Sequence, residues 1–249
     1  MSEGLQGKVV LITGGARRVG ATIARTLHAA GATVLLHYRH SAQAAERLEA
    51  EFNTTRPGSA ACIQADLLDI PRLSALVETA IERFGRLDAL VNNASSFFPT
   101  PLGGIDEAAW DDLVGSNFKA PLFLTQAAAT YLKESRGAVV NITDIHAERP
   151  LRGYPLYCAA KAALLGLTRA LAQEMAPLVR VNAVAPGPVL WPEDDSFASP
   201  TREQIIADTL LQRAGTPEDI ARAVRYLLLD APYVTGQVIN VDGGRTAHL

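Results

Sequence analysis

The chain has 249 residues, of which 48% are apolar and 20% charged, and its net charge is −3. That length can bury a full core. The mild acidity gives no reason to expect nucleic acid or an anionic membrane as partner.

Strand-like and helix-like segments alternate from the start. Val9–Ile12 is predicted as a strand, a glycine loop follows, and a helix runs from about Val19 to Ala30. Thr33–His37 is the second strand, with a polar amphipathic helix from Ala42 to about Asn53. Ala60–Ala65 is the third strand, and Pro71–Phe84 a helix with Pro in its first turn. Leu87–Asn92 is the fourth, followed by a long helical region at about 106–133, interrupted near Asn117 and Pro121. Ala138–Ile142 is the fifth strand and Pro155–Met175 a helix. Val179–Val184 is the sixth strand.

An irregular stretch then runs from Pro186 to about Thr201, within a substrate loop placed at about 186–205. Because Trp191 is costly to leave in water, this loop reads as a lid. Pro217–Leu229 is a helix with Thr216 as N-cap, and Gln237–Val241 the last strand. Repeated βα units predict a single α/β domain over residues 1–249. Its doubly wound parallel sheet has about seven strands, with helices on both faces.

Cys62 and Cys158 match no metal spacing and read as buried free thiols, so no metal is expected. MSEGLQGK has no apolar signal region, and no apolar run approaches the ~20 residues of a membrane helix. The expected location is cytoplasmic.

Three groups of residues carry chemistry. Gly14, Arg17, Arg18, Val19 and Gly20 link the first strand to the first helix. Glycine there lets backbone approach a pyrophosphate, and a helix N-terminus offers N–H groups to the anion. At the end of the second strand stand His37, Tyr38, Arg39, His40 and Ser41, with no carboxylate before Glu46. A carboxylate would accept ribose hydroxyls and repel a 2′-phosphate. Arg39, His40, Ser41 and Arg17 would bind that phosphate, so NADPH/NADP is the expected cofactor. Tyr157 and Lys161 share one helical face, where an ammonium favours the phenolate and makes the phenol a usable acid. Asp144, next to Thr143 at the end of the fifth strand, offers a second proton donor.

These residues resemble the short-chain dehydrogenase/reductase family, from about Lys8 to Gly244, and imply its Rossmann-type fold. By that resemblance Asp66 and Leu67 edge the adenine, and Asn93, Ala94 and Ser95 form the element after the fourth strand. Asn117 orders a proton path to Lys161. Pro186 and Gly187 pack on the nicotinamide, and the Val189 backbone meets the carboxamide. Asp144 stands where most members carry serine, Arg18 and Ser95 where they carry glycine. Together with His37–Ser41 and the run Asn93–Pro99, these departures resemble the pteridine reductase branch.

That branch implies NADPH-dependent reduction of pterins, folates included, by a homotetramer built through the 106–133 region and the Tyr157 helix. Phe97 would stack on the pterin, Arg18 and Ser95 meet its polar edges, and Tyr154 and Trp191 line the pocket with Asp144 and Tyr157. Arg149, His146 and Asp194–Asp195 read as solvated, and a role for Arg245 in a neighbouring site stays open. The alternatives are an NADPH-dependent ketoreductase of acyl or other carbonyls, and a catalytically silent NADPH-binding regulator.

Overall fold

The computed structural model describes residues 4–191, 197 and 199–247; Asp194 and Asp195 lie outside them. Strands β1 (Val9–Ile12), β2 (Thr33–Tyr38), β3 (Ala60–Gln64), β4 (Ala89–Asn92), β5 (Ala138–Ile142), β6 (Arg180–Pro186) and β7 (Val238–Val241) form one sheet. Their order is β3-β2-β1-β4-β5-β6-β7, and every neighbouring pair is parallel. This is the Rossmann-type doubly wound sheet expected. The helices are α1 (Arg18–Ala29), α2 (Ala42–Thr55), α3 (Leu73–Phe84), α4 (Glu107–Val114), α5 (Ala120–Ser135), α6 (Pro155–Met175), α7 (Ser199–Ala207) and α8 (Pro217–Leu229).

Side chains alternate across a strand, so a central strand apolar at every position feeds two cores. Val10 and Ile12 join Ile23 and Leu27 of α1 and Val224 and Leu227 of α8 on one face. Val9 and Leu11 join Leu76 of α3, Leu124 and Leu132 of α5 and Met175 of α6 on the other. Leu11 is fully buried between Leu35 and Leu90 in register. Truncating such a leucine to alanine typically costs about 2–5 kcal/mol. The chain leaves β1 toward β2 on one side and resumes at β4 on the other. That reversal opens a crevice at the carboxyl ends of β1 and β4, where doubly wound sheets bind ligands.

Three local features depart from the sequence pattern. A 3₁₀ turn, Ile70–Arg72, absorbs Pro71, so α3 begins at Leu73. The break expected near Asn117 is a π-type turn over Gly115–Lys119 that joins α4 to α5 without leaving the helical path. Pro121 has no N–H to offer the Asn117 carbonyl, and the wider turn carries the chain past that missing bond. Third, α7 starts at the end of the stretch read as irregular and runs on to Ala207. Its sequence, SPTREQIIA, has no apolar periodicity for packing to announce. By contrast Thr216 caps α8 as expected, in a reciprocal box with Asp219. Cys158 is buried, but Cys62 is only half-buried. Among the described residues no helix is long and apolar enough to cross a membrane.

Candidate active site

The carboxyl ends of β1, β4, β5 and β6 open into a cavity of about 1080 Å³. Gly14, Arg17, Arg18, Val19, Gly20, Asn93, Ala94, Ser95, Phe97, Thr143, Asp144, Tyr157, Lys161, Pro186, Gly187, Val189 and Trp191 border it. Ile145, His146, Leu151 and Arg245 border it as well, none of them assigned to it from sequence, as do Phe197 and Ile205 of the expected substrate loop.

Its floor is a knot of protein–protein hydrogen bonds. The Asn93 amide donates to the carbonyls of Thr13 (2.9 Å) and Gly14 (3.2 Å). The Thr13 hydroxyl accepts from the N–H groups of Asn93 and Ala94 at 2.9 and 3.0 Å. A Cβ on Gly20 would lie 2.1 Å from the Gly14 carbonyl oxygen, so glycine there permits a backbone-to-backbone contact within the protein itself. At the start of α1, Arg17 supplies no side-chain cap, and the first turn holds no acidic residue. Its leading amides and the positive helix end therefore meet the cavity with no carboxylate in the helix's own first turn, an arrangement that fits a pyrophosphate.

Arg18 occupies the left-handed region at φ 52°, where a glycine would sit without strain. Its guanidinium donates to the carbonyl of Trp191 at 2.8 Å and of Leu190 at 3.4 Å. The side chain expected over the phosphates thus also clasps the substrate loop.

His37 departs from the ligand role expected of it. The Gly14 N–H donates to its Nδ1 at 3.1 Å, and its Nε2–H meets the Ala65 carbonyl at 3.1 Å. Both ring nitrogens are spent on backbone, and burial pushes the imidazole down to about 4. His37 is a neutral strut under the glycine loop. Tyr38, Arg39, His40, Ser41, Asp66 and Leu67 lie beyond the cavity wall, at the ends of β2 and β3. There Arg39 and Asp66, both expected to face cofactor, pair with each other at 2.9 Å. Asp66 Oδ1 also accepts the Leu68 N–H at 3.0 Å.

At the other end, Tyr157 donates its hydroxyl to Asp144 Oδ2 at 2.6 Å. The second Asp144 oxygen accepts the His146 N–H at 2.8 Å, so the carboxyl group is oriented by backbone. Lys161, fully buried, donates to the Ile142 carbonyl at 2.9 Å, with Nζ 5.7 Å from the Tyr157 ring centre. Burial pushes this ammonium down to about 8 against the opposing pull of Asp144. Tyr157 is held well above the ordinary phenol range by burial first and the Asp144 charge second. This runs against the expectation that the Lys161 ammonium favours the phenolate and makes the phenol a usable acid. The carboxyl group touches the phenol oxygen, whereas the ammonium lies over the ring, 5.7 Å from its centre.

Asn117 is buried away from the cavity in the π-type turn. Its Nδ2 donates to the carbonyls of Ser96 (2.9 Å) and Leu113 (3.0 Å), and its Oδ1 accepts the Ser95 hydroxyl at 2.6 Å. Tyr154 does not line the cavity. It stacks behind Phe97 at 4.6 Å between ring centres, while Phe97 meets Tyr157 edge-on at 4.7 Å. One face of Phe97 is therefore already covered. Phe197 closes the cluster, 5.9 Å from Trp191 and 6.4 Å from Phe97, and Arg202 lies over Trp191 at 5.5 Å. Arg245 donates to the Ile205 carbonyl of α7 at 2.9 Å.

The family described as enoyl-(acyl carrier protein) reductase matches residues 14–246. Pteridine reductase 1 of Leishmania tarentolae is 41% identical, with 95% of each chain covered. The 3-oxoacyl-(acyl-carrier-protein) reductase of Staphylococcus aureus is 35% identical, covering 95% of this chain and 97% of the other. A putative ketoacyl reductase of the granaticin polyketide synthase of Streptomyces violaceoruber is 37% identical, covering 97% and 96%.

Proposed function

We propose that this chain, which belongs to the short-chain dehydrogenase/reductase family, is an NADPH-dependent pteridine reductase acting on oxidised or dihydro pterins, folates included. The observation that carries the reading is the 2.6 Å hydrogen bond between Tyr157 and Asp144. A ketone needs one proton donor at its oxygen. A ring C=N needs a proton at nitrogen, and the oriented carboxyl group beside Tyr157 is suited to resupply it.

The floor residues Gly14, Gly20, Asn93 and Ala94 would hold NADPH, which would supply the hydride for the imine carbon. Tyr157 gives its hydroxyl proton to the adjacent ring nitrogen, and the Asp144 carboxyl group in contact with it hands a replacement proton to the phenol oxygen. Solvent then reprotonates Asp144, which is half-buried at the cavity edge. The sum is one hydride and one proton added across C=N. General acid help of this kind is worth about 10²–10⁴ in rate. In the same reading Arg17, Arg39, His40 and Ser41 hold the 2′-phosphate, while Lys161 binds the ribose hydroxyls from within the wall. Asn117 fixes the segment that carries Ser95, and the uncovered side of Phe97 meets the pterin ring. The chain would act as a cytoplasmic homotetramer, with Trp110 of α4 and Leu102, exposed at 55% and 93%, as part of its contact surface.

Identities of 35% and 37% to acyl-chain reductases favour one second reading, an NADPH-dependent ketoreductase. The test is NADPH oxidation with dihydrobiopterin, dihydromonapterin and an acetoacetyl thioester in parallel. Turnover of the pterins is expected, and turnover of the thioester alone overturns the proposal. In the same assay Asp144→Ser should lower pterin kcat by about 10–100-fold and leave NADPH affinity nearly unchanged.

A further inference from the structure

Two arginines meet helix α7 at the far end of the cavity, and neither is fully partnered. The Arg245 guanidinium donates from Nη1 to the Ile205 carbonyl at 2.9 Å. Its one ion pair among the described residues runs from the same nitrogen to Asp208 at 3.8 Å, too long for a hydrogen bond. Nε and Nη2 of Arg245 thus have no protein partner among the described residues, although the side chain is only 24% exposed. One turn before Ile205, Arg202 lies over Trp191 at 5.5 Å, and its Nε is buried without a hydrogen-bond partner. A buried donor on a cation costs stability unless something accepts from it.

The cavity wall does not supply that acceptor. Among the described residues that border the cavity, Asp144 is the one carboxylate, against Arg17, Arg18, Lys161 and Arg245. Asp144 already accepts from Tyr157 and from the His146 N–H. The cofactor's phosphates, read onto α1 and the end of β2, belong to the other end of the sheet. From β1 to β7 is four strands, about 19 Å at the usual spacing. The reacting end is nearer, because Asp144 follows β5, two strands or about 10 Å from β7. Arg245 is held at the end of β7 by a built turn. Asp242 there accepts the N–H groups of Gly244 and Thr246 at 2.9 and 2.8 Å and the Thr246 hydroxyl at 2.7 Å.

We propose that Arg245 and the α7 residue Arg202 form a carboxylate subsite for the substrate's tail. The preferred substrate is then a pterin whose side chain ends in carboxylates, as the glutamyl tail of a dihydrofolate does. This rests on the pterin reading and narrows it. A guanidinium meets a carboxylate with two parallel N–H groups, and Arg245 has Nε and Nη2 left for that fork. The aryl spacer of a dihydrofolate has Trp191 and Phe197 to lie against, since both border the cavity. The short dihydroxypropyl chain of biopterin carries no anion for Arg245 to hold.

The experiment titrates dihydrofolate and dihydrobiopterin calorimetrically into the full chain saturated with NADP⁺, which has no hydride to give, so binding alone is read. The wild type should bind dihydrofolate the more tightly, and added salt should erode that preference. Arg245→Gln should lower the preference about tenfold, the order of a charge-assisted hydrogen bond. Arg202→Gln should lower it about threefold, and Arg245→Lys should recover part of the loss. A wild-type preference for dihydrobiopterin overturns the proposal. So does a preference within twofold of wild type in Arg245→Gln, or an equal weakening of both ligands. Should Arg245→Gln fail to fold, a salt-insensitive preference in the wild type overturns it instead. Binding of neither pterin by the wild type defeats the functional reading. The subsite is then decided with acetoacetyl-coenzyme A against acetoacetyl-N-acetylcysteamine, which lacks phosphate. Arg245→Gln must weaken the first selectively, or the subsite falls too.

Discussion

Hydrogen bonds hold the floor of the cavity. Thr13, Asn93, Gly14 and His37 interlock through donors and acceptors within 3.2 Å. Ring contacts hold the roof, with Phe97, Tyr154, Phe197 and Trp191 at centre-to-centre distances of 4.6–6.5 Å and a single arginine clasping two loop carbonyls. A hydrogen-bonded knot has one geometry and loses a buried partner at about 1–3 kcal/mol. Stacked rings slide at little cost. The floor is suited to a ligand whose shape never varies, and the roof to one that enters and leaves.

The largest expected effect separates chemistry from both. Tyr157→Phe should lower kcat by about 10³, while NADPH affinity, followed by nucleotide fluorescence, stays within a factor of about three. The hydroxyl is lost, but its ring still packs edge-on against Phe97. A parallel loss of cofactor affinity would mean that floor and roof are not independent.

Breaking the floor should do the converse. A Cβ on Gly20 must displace the Gly14 carbonyl oxygen, which is backbone and cannot swing aside. Gly20→Ala should weaken NADPH binding by about 10²-fold and destabilise the chain by about 1–3 kcal/mol. Residual turnover at saturating cofactor should keep its pH profile, because Asp144 and Tyr157 are untouched. A shifted profile would show the two regions to be coupled.

The third prediction concerns pH. His37 is neutral in the fold and is pushed down to about 4, against a usual value of 6.5. Between these values the unfolded chain binds the proton and the folded chain does not, so stability falls as pH falls. The contribution is fully retained above about 6.5, and its loss is complete below about 4. At pH 5 the loss is about 2 kcal/mol. Denaturant unfolding at pH 7 and pH 5 should show it in the wild type and not in His37→Asn, whose amide does not titrate in this range. Equal slopes in the two chains would remove His37 as the acid-sensitive strut.

The same contrast explains what was legible beforehand. Strands β1 and β5 and helix α6 have the boundaries their apolar runs and Pro155 announced. Short-range rules govern such elements: a continuous run in a buried strand, a proline in a first turn. The meeting of Asp144 with Tyr157, 13 positions apart, was anticipated from the family resemblance. His37 was misread because charge at a strand end is visible in sequence, whereas burial beneath the adjacent loop is a tertiary fact. Alternation along β2, with Leu35 and Leu36 both buried, gave no polar face to place it on. Phe197 and α7 escaped notice for a related reason. Their stretch has no period, and Phe197 is placed by rings of Trp191 nearby and Phe97 far away in the chain.

The smallest effect lies at the rim, where Arg39 and Asp66 pair at 2.9 Å with side chains 43% and 41% exposed. An exposed pair of this kind is worth under about 1 kcal/mol, so Asp66→Asn should barely move the unfolding midpoint. Its effect on cofactor choice is the sharper question. Should Asp66 act mainly as a tether for Arg39, removing its charge releases the guanidinium toward a 2′-phosphate. The preference for NADPH over NADH should then rise by about two- to fivefold, a gain that added salt should erode. Should Asp66 instead grip the adenine, which both nucleotides share, the two affinities would fall together and their ratio stay fixed. Titrating NADPH and NADH against wild type and Asp66→Asn at two ionic strengths separates these cases. The rim would count as an extension of the floor only if both nucleotides weaken.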